Sequence, residues 1–92
     1  MAVVKKLAVA GTLESCDAMV TIGPADTLKI TLESSVKEVF EENILVCIKS
    51  TLERLDVDKA DVFIQDRGAF DCTLSARVET AVLRSCEESG EL

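Results

Sequence analysis

The hydrophobic periods along this chain predict an α+β fold. It is a small two-layer sandwich of order β-β-α-β-α, with two helices on one face of a short sheet. Three observations carry that prediction. Two runs between residues 17 and 33 alternate apolar and polar side chains, and a third alternating run lies at 60–65. Apolar stripes at spacings of three and four follow residues 35 and 71.

The first run, Asp17-Ala18-Met19-Val20-Thr21-Ile22-Gly23, puts Val20 and Ile22 on one face. Turn chemistry follows at 23–27: Gly23 is permissive, Pro24 fixes φ, and Asp26 can bond its own backbone. Leu28-Lys29-Ile30-Thr31-Leu32-Glu33 then alternates again. Two such runs joined by a short Gly-containing segment read as a β-hairpin with one solvated face. Ser35-Val36-Lys37-Glu38 is a capping box, in which the serine accepts from the third helical amide and Glu38 reaches back. The helix it opens carries Val36, Val39, Phe40, Ile44, Cys47, Ile48, Leu52 and Leu55 on its core-facing stripe. Leu45 and Val46 lie off the stripe, either as partner contacts or as scattered surface apolars.

A third strand is expected at Ala60–Gln65, followed by a turn at Asp66-Arg67-Gly68. Asp71 is the expected N-cap of a second helix running to about Glu87. Leu74, Val78, Ala81 and Val82 form its apolar face, and Phe70 packs just before it. Residues 85–92 read as a fraying tail. Residues 1–12 either add an edge strand or stay mobile. One domain is expected over 1–92, with 1–16 as an exposed N-terminal segment and 17–88 as the globular core.

Composition narrows the function classes. At 92 residues and 48% hydrophobic, the chain folds around a thin core, and a deep enclosed pocket is not expected. Aromatic residues are 3% of the chain, all Phe, so the core is aliphatic. A net charge of −7 repels phosphate backbones and anionic membranes, and neither Trp nor Tyr is present to stack on a base. Nucleic acid and membrane partners are therefore not expected. Lys5-Lys6 followed by Leu7-Ala8-Val9-Ala10 is too short an apolar run for a secretion signal, so a cytoplasmic protein is expected. Cys16, Cys47, Cys72 and Cys86 contain no CxxC pair, which weakens metal and redox readings and favours free thiols over two disulfides.

An autonomous enzyme is also disfavoured. Histidine is absent, so the usual general base near neutral pH is missing. A serine nucleophile would need a lysine or terminal amine as its base, and nothing positions Lys5 or Lys6 for that role. The glycines at 11, 23, 68 and 90 are too dispersed for a phosphate loop. Within Gly11-Thr12-Leu13-Glu14-Ser15-Cys16-Asp17, Ser15 or Thr12 can bond local backbone in a turn. Alternatively, Ser15 is an exposed hydroxyl that another enzyme modifies, with a phosphodiester lying between Glu14 and Asp17.

Two segments carry a family resemblance. Ala8-Val9-Ala10-Gly11-Thr12-Leu13-Glu14-Ser15, with Asp17 following, resembles the N-terminal segment of the citrate lyase acyl carrier proteins, the gamma subunits. Asp66-Arg67-Gly68-Ala69-Phe70-Asp71-Cys72, continuing through Leu74, Ala76-Arg77 and Glu79, is similar to a second segment of that family, and Ser34-Ser35-Val36 with Phe40 fits its helix entry. The likeness runs from about residue 8 to about residue 84.

This resemblance implies a non-catalytic carrier subunit. Ser15 would bear a covalent 2'-(5''-phosphoribosyl)-3'-dephospho-CoA group through a phosphodiester, and the arm's thiol would hold an acetyl or citryl thioester while citrate is cleaved to acetate and oxaloacetate. It further implies four partners: the alpha subunit (acetyl to citryl exchange), the beta subunit (the lyase), a prosthetic-group transferase and an acetate-activating ligase. Cys16 departs from the pattern, which has a smaller residue such as Gly or Ser there, and Met1 to Leu7 lies outside it. Alternatives are the carrier of malonate decarboxylase, that of citramalate lyase, and an unmodified adaptor domain. Fatty-acid-type carriers attach their arm at the head of a helix, whereas Ser15 precedes expected strands.

Overall fold

A computed structural model describes residues 3–34 and 41–86. Six elements occur in the order β1 (Ala8–Gly11), β2 (Ala18–Gly23), β3 (Leu28–Ser34), α1 (Glu41–Arg54), β4 (Ala60–Asp66) and α2 (Asp71–Cys86). The α+β class and the helices on one sheet face are as expected, and the N-terminal segment supplies the additional edge strand β1. The capping box at Ser35–Glu38, with Val36, Val39 and Phe40, lies outside the described residues. Of the tail expected to fray from Ser85, Ser85 and Cys86 instead complete α2, with Ser85 fully buried. Residues 87–92 lie outside the described residues.

The sheet order is β1-β2-β4-β3. β1 and β2 are antiparallel, β2 and β4 are antiparallel, and β3 runs parallel to β4. The expected hairpin of residues 17–23 with 28–33 is therefore not formed, because β4 lies between β2 and β3. Burial follows that order. Ala60, Val62 and Ile64 of β4 are fully buried, while β3 leaves Leu28 41% exposed and covers Ile30 and Leu32 only in part. The central place leaves β4 covered along its length and β3 at the edge, and α1 carries the chain from β3 back into a parallel neighbour. The connection at 24–27 has to bridge two strand spacings, about 10 Å, which four extended residues cover comfortably.

One sheet face is sealed. Ala8, Ala10, Ala18, Val20, Ile22, Ala60, Val62 and Ile64 pack against Ile44, Ile48 and Leu52 of α1 and Leu74, Val78, Ala81 and Val82 of α2. The other face shows Val9, Met19, Thr21, Phe63 and Gln65 to varying degrees. No buried side-chain nitrogen or oxygen among the described residues lacks a hydrogen-bond partner.

The helix ends follow local rules. After α1, the Val57 amide donates to the Leu52 carbonyl (2.9 Å) and the Asp56 amide to that of Glu53 (3.0 Å). Asp56 has φ 61°, so this is a Schellman closure with aspartate in the place glycine usually holds, and Val57 is buried beside it. At the start of α2 the Phe70 carbonyl accepts from Leu74 (2.9 Å), so Phe70, rather than Asp71, is the N-cap. Asp71 sits in the first turn, where its charge favours the helix dipole. Phe70 does not pack before the helix as expected: it is 73% exposed. The preceding turn is held by Asp66, whose carboxylate accepts from the Ala69 amide (3.0 Å) and the Ser34 hydroxyl (3.0 Å). That bonding carries the chain outward before the helix begins.

Candidate functional site

Ser15 lies in the loop that joins β1 to β2, and residues 12–16 are all exposed. The Asp17 amide donates to the Glu14 carbonyl (3.1 Å), which closes a four-residue turn with Ser15 and Cys16 at its centre. Cys16 has φ 65°, so the positive φ falls on the third turn position, as in a type II turn. That position favours glycine, which gives a physical reason for the smaller residue expected at Cys16. It also turns the Ser15 side chain outward at the crest of the loop.

Three sets of contacts brace the turn. The Cys16 amide donates to the Arg67 carbonyl (2.8 Å), and the Arg67 amide to the Asp17 carbonyl (2.9 Å), which ties the loop to the turn after β4. Thr12 Oγ1 donates to Asp17 Oδ2 (2.6 Å) and accepts from the Glu14 amide (3.2 Å). Arg77, from the second turn of α2, grips Asp17 in a bidentate pair, Nε to Oδ1 at 2.8 Å and Nη2 to Oδ2 at 3.0 Å. Local backbone bonding therefore falls to Thr12. None of the loop's hydrogen bonds among the described residues uses the Ser15 hydroxyl.

Asp17 is largely buried, and its Oδ1 also accepts from the Ala18 amide at 2.7 Å. The Arg77 bond, aided by Thr12, holds its carboxyl far below the usual carboxylate range against the opposing effect of burial. Arg77 is pushed up in turn, chiefly by the same hydrogen bond. Both Asp17 oxygens are occupied and the group stays ionised, so it is a brace and not a proton acceptor for Ser15. Arg77 also compensates the Asp17 charge, which lowers the repulsion that a phosphodiester between Glu14 and Asp17 would meet. Sequence reasoning singled out Ser15 but missed this pair, although Asp17 and Arg77 both stand in the two segments that carry the family resemblance.

Gly11 completes the geometry with φ 95°. A side chain there would collide with the Ala18 carbonyl oxygen and come within 3.1 Å of Arg77 Cδ. Glycine thus lets β1 end against β2 while Arg77 passes beneath the loop.

The other candidates do not join Ser15 in any catalytic group. Cys16 and Cys72 are exposed thiols, while Cys47 and Cys86 are half-buried. Burial, followed by the Asp71 charge, pushes the Cys47 thiol up. Val46 is 60% exposed and Leu45 is half-buried. Among the described residues no three His, Cys, Asp or Glu side chains are grouped to hold a metal ion, and no helix is long and apolar enough to cross a membrane.

Ser15 is thus an exposed hydroxyl on a braced turn with no base beside it, accessible to another protein's active site. Comparisons with known proteins bear on its role. The family model described as malonate decarboxylase delta subunit matches residues 5–85. A citrate lyase acyl carrier protein of Streptococcus mutans is 49% identical over 91% of this chain and 84% of the relative. One of Escherichia fergusonii is 48% identical over 91% and 89%, and one of Haemophilus influenzae is 44% identical over 94% and 90%. A solved Pseudomonas malonate decarboxylase hetero-tetramer, in complex with malonate, contains a chain that superposes with a TM-score of 0.70. That match covers 88% of this chain and 84% of the other at 22% identity, a likeness of fold.

Proposed function

Because this chain belongs to the citrate lyase acyl carrier protein family, a family of non-catalytic carrier subunits, we propose that it carries phosphoribosyl-dephospho-CoA on Ser15 within a citrate lyase complex. The observation that carries this reading is the exposed Ser15 hydroxyl at the crest of a braced turn that offers it no base. When attached, the arm supplies a terminal thiol that holds an acyl group as a thioester. This chain's own residues hold the attachment point at a fixed place on the fold. Arg77, Asp17 and the Arg67 backbone fix the turn, Cys16 presents the serine outward, and the sealed core keeps the domain rigid while the arm reaches partner active sites.

Partners under this reading are the alpha and beta subunits, the prosthetic-group transferase and the acetate-activating ligase, all in the cytoplasm. The whole of residues 1–92 acts as one carrier domain. A malonate decarboxylase carrier is the second reading, favoured by the description of the family model. The identities of 44–49% to citrate lyase carriers, against 22% to the malonate decarboxylase chain, support the first.

Intact mass and peptide mapping of the protein purified from its native host test the assignment. An adduct of several hundred daltons on the peptide containing Ser15 is expected. Unmodified protein from cells actively fermenting citrate would sink it. Ser15→Ala should melt with the parent, because the side chain is exposed, and should abolish activity of the reconstituted complex.

A further inference from the structure

We infer that Phe70 and Leu13 form an apolar anchor on which the enzyme that loads Ser15 docks, within a rim made acidic by Glu14 and Asp71. The inference rests on the reading of Ser15 as an attachment point and adds the surface by which that point is recognised.

The placement follows from how α2 lies along β1. Near its C-terminal end, Arg84 Nη1 donates to the Val9 carbonyl (2.7 Å), and further back Arg77 meets Asp17 and lies against Gly11. The helix therefore runs antiparallel to β1, and its first turns project beyond the strand's end. Phe70 is seven residues before Arg77, about 10 Å further along at the helical rise. That puts it beside the 12–17 loop, to which its own turn is tied by the two bonds through Arg67. Leu13 is 47% exposed on the loop, and Phe70 at 73% is the most exposed of the large apolar side chains among the described residues.

Neither side chain belongs to the core formed by the described residues. The core of the described residues closes with Leu74 and Val78 one and two turns below, which leaves the phenyl ring largely in water. Glu14 and Asp71 are exposed around the two apolar groups, on a chain of net charge −7. The complementary surface is a protein face with an apolar pocket and basic side chains at its edge. Of the proteins that must meet this domain, the loading enzyme is the one that has to bring its active site onto the Ser15 hydroxyl itself. A flexible arm cannot bridge that distance before it is attached.

Unloaded chain with the purified loading enzyme of the same organism provides the test. Binding is measured by titration calorimetry with Ser15→Ala, which cannot be consumed, and loading by intact mass with Ser15 intact. Phe70→Ser is expected to weaken binding and lower the loading kcat/KM about tenfold or more, mostly through KM, as for a buried aromatic anchor. Leu83→Ser removes another exposed apolar group (57%) about 20 Å away along the same helix, and is expected to change neither by more than about twofold. Loading of Phe70→Ser within about twofold of the parent would overturn the inference and leave the attachment reading standing. Failure of the parent chain to load at Ser15 would overturn both. Circular dichroism melts of the two serine variants should coincide with the parent, which separates recognition from folding.

Discussion

Alanine at Gly11 should unfold this domain well below the parent's melting temperature, for reasons that sit in the backbone and not in recognition. With φ at 95°, any residue with a Cβ is strained there by about 1–2 kcal/mol. The new methyl would also strike the Ala18 carbonyl oxygen, so β1 has to move off β2 at that end. Weakening one or two ladder hydrogen bonds adds about 1–2 kcal/mol, for a total of about 2–4 kcal/mol. A chain of 92 residues unfolds with an entropy of about 190 cal/mol/K, so each kcal/mol lowers Tm by about 5 °C. The expected loss is therefore about 10–20 °C in a thermal melt followed by circular dichroism. Gly68→Ala is the internal comparison. Its φ is 90°, yet nothing lies within 4 Å of the added carbon, so only the conformational part, about 5–10 °C, should appear. Equal losses at the two glycines, or a Gly11→Ala loss under about 3 °C, would refute the collision argument.

The ion pair beneath the turn sets an acid dependence. The folded state lowers the Asp17 pKa from its ordinary 3.8, so the pair stabilises fully above that value and less as pH falls below it. The Tm gap between the parent and Arg77→Met should thus be widest near neutral pH and shrink below about pH 4; a gap unchanged down to about pH 2.5 would exclude the pair as its source. Cys16→Gly should be neutral or stabilising by up to about 1 kcal/mol in urea titrations, unlike most substitutions to glycine, because it relieves a positive φ. A clear loss would mean that the turn does not strain Cys16. With an aromatic disulfide reagent at neutral pH, Cys16 and Cys72 should react in a fast phase and Cys47 and Cys86 slowly. Fast reaction of Cys47 in the native protein would contradict its burial.

Element identity was legible in the sequence because it is local. Val20 and Ile22, or Leu74, Val78 and Val82, reveal period and face within a short window. Strand pairing was not, because β4 is about forty residues from β2 in the chain and the alternating pattern of each run says nothing of which strand it lies beside. Ser15 could be singled out only through the family resemblance, since its setting leaves a turn serine and a modified hydroxyl both open. Its brace could not, because Arg77 lies 60 residues from Asp17 and nothing in either neighbourhood points at the other. Phe70 misled for the opposite reason. An apolar residue just before a helix usually packs inward, and here the Asp66 hydrogen bonds direct the chain outward.

The brace also imposes an order in time. Ser15 comes well before, in the chain, the groups that shape its turn, the Arg67 backbone and the Arg77 side chain. A nascent chain that has not yet produced α2 presents the serine on an unformed loop. The braced form of the turn arises only once β4 and α2 are in place. Under the proposed reading of Ser15, attachment would therefore favour chains that have already closed their sheet.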